Sequence, residues 1–301
     1  WWWPLILLGY PLVGRLWCSF CPFMVWGEIA QGLVKRLGWQ PRSWPRGEHD
    51  DWASPLLAIG FGLILLWEEL AHLENTAWLS SCLLLLITAG AVLGSLIFEK
   101  RFWCRYLCPI GGMNGLFAKL SILELRAHAG TCSGSCSSYA CFKGGPADGE
   151  GLATAGCPLG THPAHLSDNR NCVLCLTCVQ ACPHRSVQLS LRPPAADLRL
   201  PLNVPRGEPL LILILFGGLV LHWGRPALEG LPMMQQLLMA SIELALPALV
   251  ALGLRRWLGV ELWRQGLYGL LPLLLGLLLA RHLPVGMGEA GQFLPVSLGA
   301  G

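Results

Sequence analysis

The chain alternates long apolar runs with short polar breaks, and one long polar stretch interrupts it near the middle. Six apolar segments stand out, at 1–16, 53–70, 78–98, 208–223, 235–253 and 266–283. The first is short, and the others approach the ~20 residues that a helix needs to cross a bilayer. Residues 121–206 are rich in Cys, Gly, Ser and Pro and hold no apolar run of membrane length, so they read as an extramembrane domain. The pattern predicts an α-helical membrane protein with about six transmembrane segments. Segments 1–3 fall in 1–120, an inserted domain in 121–206, and segments 4–6 in 207–301. The stretch 23–38 (FMVWGEIAQGLVKRLG) spaces its apolar residues at helical intervals and ends in Lys35, Arg36 and Gly38. That predicts a helix lying along the membrane surface, and 110–125 has a similar pattern.

Composition supports this division. The 301 residues are 53% hydrophobic and only 13% charged, where a soluble domain carries about 25% charged residues. The net charge of +3 gives no argument for nucleic acid, but its distribution assigns sides. Arg15, Lys35, Arg36, Arg42 and Arg46 lie in the 15–51 loop. Lys100, Arg101, Arg105, Lys119, Arg126 and Lys143 lie in the region of the insert, and Arg255, Arg256 and Arg264 in the loop at 254–265. The alternate loops are nearly bare: 71–77 has no Lys or Arg, and 224–234 has only Arg225. Under the positive-inside rule the insert faces the cytoplasm, so a bacterial inner or photosynthetic membrane, with lipid around the spans, is the expected setting. Trp1 opens inside an apolar run without a basic n-region, which does not fit a signal peptide and reads as part of a longer chain. No GxGxxG fingerprint or P-loop is present.

Cysteine spacing carries the chemistry. Cys172, Cys175, Cys178 and Cys182-Pro183 spell C-x2-C-x2-C-x3-C-P, the spacing by which bacterial ferredoxins hold 4Fe–4S clusters. Upstream, Cys132, Cys136 and Cys141 followed by Cys157-Pro158 look like the first half of a two-cluster ferredoxin, loosened by insertions that include the Gly-rich 143–156. Crossed ligation would give one cluster to Cys132, Cys136, Cys141 and Cys182, and the other to Cys172, Cys175, Cys178 and Cys157. The insert is therefore expected to be a two-cluster ferredoxin-like α+β domain. Disulfides would need an oxidising compartment, and zinc ribbons pair C-x2-C knuckles rather than run three in series.

A second constellation sits where spans meet the surface. Cys18 and Cys21-Pro22 follow the first segment, and Cys104 and Cys108-Pro109 the third, on the same side as the insert. These four thiols are candidates for a third cluster, a metal such as copper, or redox dithiols. The simpler alternative is that Cys-Pro only marks the turn from span to surface helix. Cys82, alone in an apolar run, reads as a small buried hydrophobe.

The phrases WCSFCPFMVWGEIAQGL and RFWCRYLCPIGGMNGLFAKLSIL, followed by the ferredoxin motif, resemble the polytopic membrane iron–sulfur proteins of the NapH/NosR/CcoG type over about 1–200. The resemblance implies two 4Fe–4S clusters, cytoplasmic Cys-Pro motifs, and redox traffic with the quinone pool or a metal. The chain departs from that pattern in three places. Its first membrane-edge pair is one residue shorter, its first cluster motif is stretched, and 205–301 adds three apolar segments.

Ionisable residues inside apolar segments are functional candidates, because burying them in lipid is costly. Glu243 is expected to face the bundle interior, where it would relay protons or bond a quinone. His72, His222 and His282 fall near the outer ends of segments two, four and six, where they would take quinol protons if they converged; haem is not expected. Glu68 and Glu69 are expected to be solvated. The leading expectation is electron transfer between a soluble ferredoxin-like or other redox partner and quinone. The alternatives are a metal reductase, or a redox-sensing regulator or assembly factor, using the membrane-edge cysteines.

Overall fold

A computed structural model describes residues 2–43, 48–73, 76–145, 153–199, 205 and 207–288. Arg46 of the first basic loop and 146–152 of the Gly-rich insertion lie outside these residues. The protein is mostly helical. Helix α1 (Trp2–Val13) has only 12 residues, about 18 Å long, too short to span alone. Gly14, at φ +55°, ends it where a Cβ would press on Ser121. After a 103° bend the chain continues through a 3-10 turn (Leu16–Ser19) into α2 (Pro22–Arg36), the predicted surface helix. Helices α3 (Glu48–Leu70) and α4 (Ala77–Ile97) follow, with α2 packed along α4. Two short helices, α5 (Phe102–Tyr106) and α6 (Pro109–Phe117), lead into the insert. The helix expected over 110–125 stops at Phe117, and the chain passes through a 3-10 turn into a strand.

The insert is built on one antiparallel pair, β1 (Leu123–Ala127) with β2 (Val187–Leu191), Leu125 opposite Leu189. Between the strands lie three helices of one turn or slightly more: α7 (Ala129–Gly134), α8 (Ala140–Lys143) and α9 (Thr177–Ala181). Helix α10 (Gly207–Leu228) returns to the apolar part and packs against α3 and α11 (Met233–Gly269); α12 (Leu271–Gly288) closes against α1.

Among the described residues, four helices are long and apolar enough to cross a membrane, or five if the bent α1–α2 pair counts as one span. The expected fifth and sixth segments fall in a single 52-residue run, Met233–Pro284. That run is not straight. Gly259 has φ 75° and ψ 167°, and the Trp263 indole N–H reaches back to the Ala251 carbonyl at 2.7 Å. A continuous helix would hold those residues about 18 Å apart, so the chain folds back at Gly259. The largest buried cluster gathers Leu7 and Tyr10 of α1, Phe61 of α3, Phe117 of α6, Ile212 of α10 and Leu274 of α12 around this core.

Candidate iron–sulfur site

Both Cys-Pro dipeptides start helices. Pro22 and Pro109 occupy the first turns of α2 and α6, where a missing N–H costs nothing. Cys108 also caps α6, its Sγ accepting the Gly111 N–H at 3.2 Å. The turns do more than end spans, because they bring Cys18, Cys21, Cys104 and Cys108 within electrostatic reach of one another. Arg15 braces this group. It donates from Nε to Cys18 Sγ at 3.4 Å, and from its two terminal nitrogens to the carbonyls of Arg170 and Cys104, each at 2.8 Å. Asn114 Nδ2 donates to Cys18 Sγ at 3.0 Å, and the Tyr10 hydroxyl donates to Asn114 Oδ1. Arg101 holds the Cys18 and Ser19 carbonyls and pairs with Glu28. Burial raises the Cys104 thiol well above its ordinary range and pushes Cys108 up to about 12.

In the insert the two ferredoxin-type ligand sets come together as separate groups. Cys132, Cys136, Cys141 and Cys182 line one pocket with His162 and Ser186. Cys172, Cys175, Cys178 and Cys157 form a second group of mutually interacting thiols. Leu174 (φ 51°) and Leu176 (φ 59°) adopt left-handed backbone in the loop that wraps this group. Such conformations cost about 1–3 kcal/mol each in a branched residue and cluster at functional sites. Burial, reinforced by neighbouring thiols, pushes Cys141 and Cys172 up to about 11 and raises Cys178 further.

The donor chemistry fits iron–sulfur clusters. All thirteen cysteines are free. Among the described residues no three His, Cys, Asp or Glu side chains are set to hold a single metal ion. A cubane takes four thiolates, one on each of its irons, and each of the three groups supplies four. The three groups lie in succession. Cys141 and Cys178 share one buried cluster, while Cys21, Cys157 and Cys175 pack against another that holds Cys18 and Cys104.

Other candidates are placed differently. Glu69, expected in solvent, is only 4% exposed, because Arg281 of α12 (2.5 Å), His222 (3.1 Å) and Arg225 (3.5 Å) of α10 enclose it. Glu68 lies 3.4 Å from Arg281. Two of the three outer histidines meet on one charged group, His222 bonding Glu69 and His72 bonding Arg225, which lies 3.5 Å from Glu69, while His282 sets its ring edge-on to Trp3. Glu243 does face its neighbour, with its carboxylate against Gly224 of α10 and Oε2 buried without a hydrogen-bond partner. Cys82 is half-buried on α4. Leu57 and Glu69 are about 18 Å apart along α3, so this outer group is remote from the thiols: Gly112 packs on Leu57, and its neighbour Gly111 packs on Cys104 and Cys108.

Sequence reasoning passed over a buried quartet that joins insert to membrane. Lys119 lies 2.9 Å from Asp168 and 3.4 Å from Glu208, and Arg170 lies 2.8 Å from Glu208, which also accepts from the Tyr268 hydroxyl. It borders a cleft between α3, α6 and α10, lined by Arg15, Leu57, Gly112, Arg170, Glu208 and Leu211. A Lys directly after an apolar helical stretch was the one available signal.

Comparison with known proteins agrees with this chemistry. A family described as a 4Fe-4S binding domain matches residues 1–40 and 82–125, the segments that carry Cys18, Cys21, Cys104 and Cys108. Protein NirI of Paracoccus denitrificans is 28% identical over 58% of this chain, and 26% of NirI is covered. YccM of Escherichia coli, provisionally named an electron transport protein, is 32% identical over 37% of this chain and 28% of its own length. MauN of P. denitrificans, a methylamine utilization ferredoxin-type protein, is 30% identical over 46% of this chain and 50% of MauN. The chain thus spans only about a quarter of the length of the first two. No solved structure matches. Residues 1–40 and 82–125 are thus similar to a 4Fe-4S binding domain, and the chain is similar to a ferredoxin-type protein and to one named for electron transport.

Proposed function

We propose that the chain is a multi-pass membrane electron carrier with three 4Fe–4S sites in line, linking a soluble redox partner on the cytoplasmic side to quinone in the membrane. Iron–sulfur electron transfer itself is supported by the matched domain and the ferredoxin-type relative. The observation that carries the finer reading is that Cys157 and Cys175 of the insert, like Cys21, pack against the buried cluster that holds Cys18 and Cys104. It supports an order in which the insert's second site lies beside the membrane edge and its first site farther out. A thiolate-bound cluster supplies one-electron chemistry with little ligand movement. The chain's own residues keep the sites dry and close, and Arg15 ties the membrane-edge group to the backbone just before Cys172 through the Arg170 carbonyl.

The fold-back at Gly259 divides Met233–Pro284 into two lengths that each suit a span, which supports five full crossings with α1 as a short sixth membrane segment. The basic loops support a cytoplasmic insert. The cleft beside Arg15 and Leu57 is the place where a quinone head group would approach the thiols; the outer carboxylate and histidines are too remote for that exchange.

Anaerobic purification with iron and sulfide counts and low-temperature EPR tests this reading. About twelve irons per chain are expected, falling to about eight when Cys18 and Cys104 are both changed to Ser. About eight in the unaltered protein would remove the membrane-edge cluster and favour a dithiol or metal-reducing role for those four cysteines. About four would remove the site at the stretched motif as well.

A further inference from the structure

His162 stands in the pocket formed by Cys132, Cys136, Cys141 and Cys182, yet it belongs to no cysteine motif. Its ring is fixed from several sides. It heads a 3-10 turn (Pro163–His165), where the Ala164 backbone N–H donates to its Nδ1 at 3.2 Å. Tyr139, Phe142 and His165 set their rings against it at centroid distances of 5.7, 5.9 and 5.5 Å. An Nδ1 that accepts a hydrogen bond carries no proton, so the neutral imidazole holds its proton on Nε2. That nitrogen lies 4.0 Å from Cys141 Sγ.

We propose that His162 is a positioning residue whose Nε2–H donates to Cys141 Sγ and raises the reduction potential of the first site. The inference rests on the reading of Cys132, Cys136, Cys141 and Cys182 as a cluster ligand set. Hydrogen bonds to cluster sulfurs are among the terms that set cluster potentials, because they stabilise the extra negative charge of the reduced state. Two hydroxyls also approach this group, Ser186 Oγ at 3.4 Å from Cys132 Sγ and Ser138 Oγ at 4.0 Å from Cys136 Sγ. A hydroxyl rotates to accept or donate. The imidazole, pinned at Nδ1, offers a donor in a fixed direction. The effect falls on the site farthest from the membrane edge, where an electron would be exchanged with a soluble partner.

The test is an EPR-monitored redox titration of the anaerobically purified full chain, with His162→Phe and His162→Gln beside the unaltered protein. The couple of the first site is identified as the one altered in Cys136→Ser. Phe keeps a flat ring without an N–H, whereas Gln restores an N–H donor. The expected result is a lower potential for that couple in His162→Phe, recovery of part of the shift in His162→Gln, and an unmoved second couple with unchanged iron content. An occupied first site with the same potential in all three proteins overturns the role of His162 and leaves the ligand set standing. Loss of about four irons in both His162 variants overturns it in favour of a structural or ligating histidine. An unaltered protein without a signal that depends on Cys136 overturns the ligand-set reading and the inference together.

Discussion

Lys119→Met tests how the cysteine-rich insert is held to the apolar helices. Lys119 is 1% exposed and sits between Asp168, on the insert, and Glu208, at the start of α10. With Arg170 the quartet holds two positive and two negative groups. Methionine nearly preserves the side-chain length but removes the ammonium, leaving two carboxylates to one guanidinium. Breaking a buried pair from one side costs about 3–5 kcal/mol. Glu208 keeps Arg170 at 2.8 Å and the Tyr268 hydroxyl, and Asp168 keeps the Arg170 backbone N–H at 3.0 Å. The low end, about 3 kcal/mol, is therefore the expectation. When cleavage tracks the opening equilibrium, this corresponds to about a 100-fold rise in the open fraction. Limited proteolysis of the detergent-solubilised protein, scored for cuts within 121–206, measures it. Lys119→Met with Asp168→Asn restores the charge balance and should recover more than half of the loss. A single variant as resistant as the unaltered protein would refute the idea that the quartet fastens the two parts.

The same quartet sets a pH limit. Burial opposes ionisation of Asp168, but Lys119 and Arg170 outweigh it and hold its carboxyl below the ordinary range. Its contribution is then complete above the unfolded value near ~3.9 and is lost as the pH falls through the lower folded value, so the protease resistance of the insert should weaken only below about pH 4. Arg15→Lys keeps the charge but loses the planar fork that bonds the Cys104 and Arg170 carbonyls; iron tied to Cys18 and Cys104 should be lost to a chelator before the insert's iron. Ser54→Phe, on the cleft beside Arg15 and Glu208, should lower electron exchange with a short-chain quinone at least tenfold while iron content stays constant. Gly259→Ala has open space around its new methyl but a backbone only glycine adopts freely, and should lower thermal stability by about 1–3 kcal/mol.

The cysteine motifs were legible because ligand spacing is local: three thiols two residues apart can only wrap a single centre. The surface helix after Cys21 was legible for the same reason, since its apolar periodicity and its proline lie within one stretch of chain. Glu69 was not. Its neighbours Arg225 and Arg281 are more than 150 residues away in sequence, so no local pattern distinguished a buried, paired carboxylate from a solvated one. His162 escaped notice because a single histidine in a polar loop has no spacing to read.

The sequence by itself determined that apolar helices flank a cysteine-rich insert, how its cysteines are spaced, and on which loops the basic charge falls. These follow from runs, periods and counts along the chain. Only the tertiary structure brought the insert's cysteines to the membrane-edge ones, because Cys157 and Cys175 pack against the cluster that holds Cys18 and Cys104, joining segments that nothing local connects. It also decided which charges are buried. Lys119 and Glu208 can leave water only because Asp168, Arg170 and Tyr268 arrive from other elements to satisfy them, and an unpaired charge could not remain there.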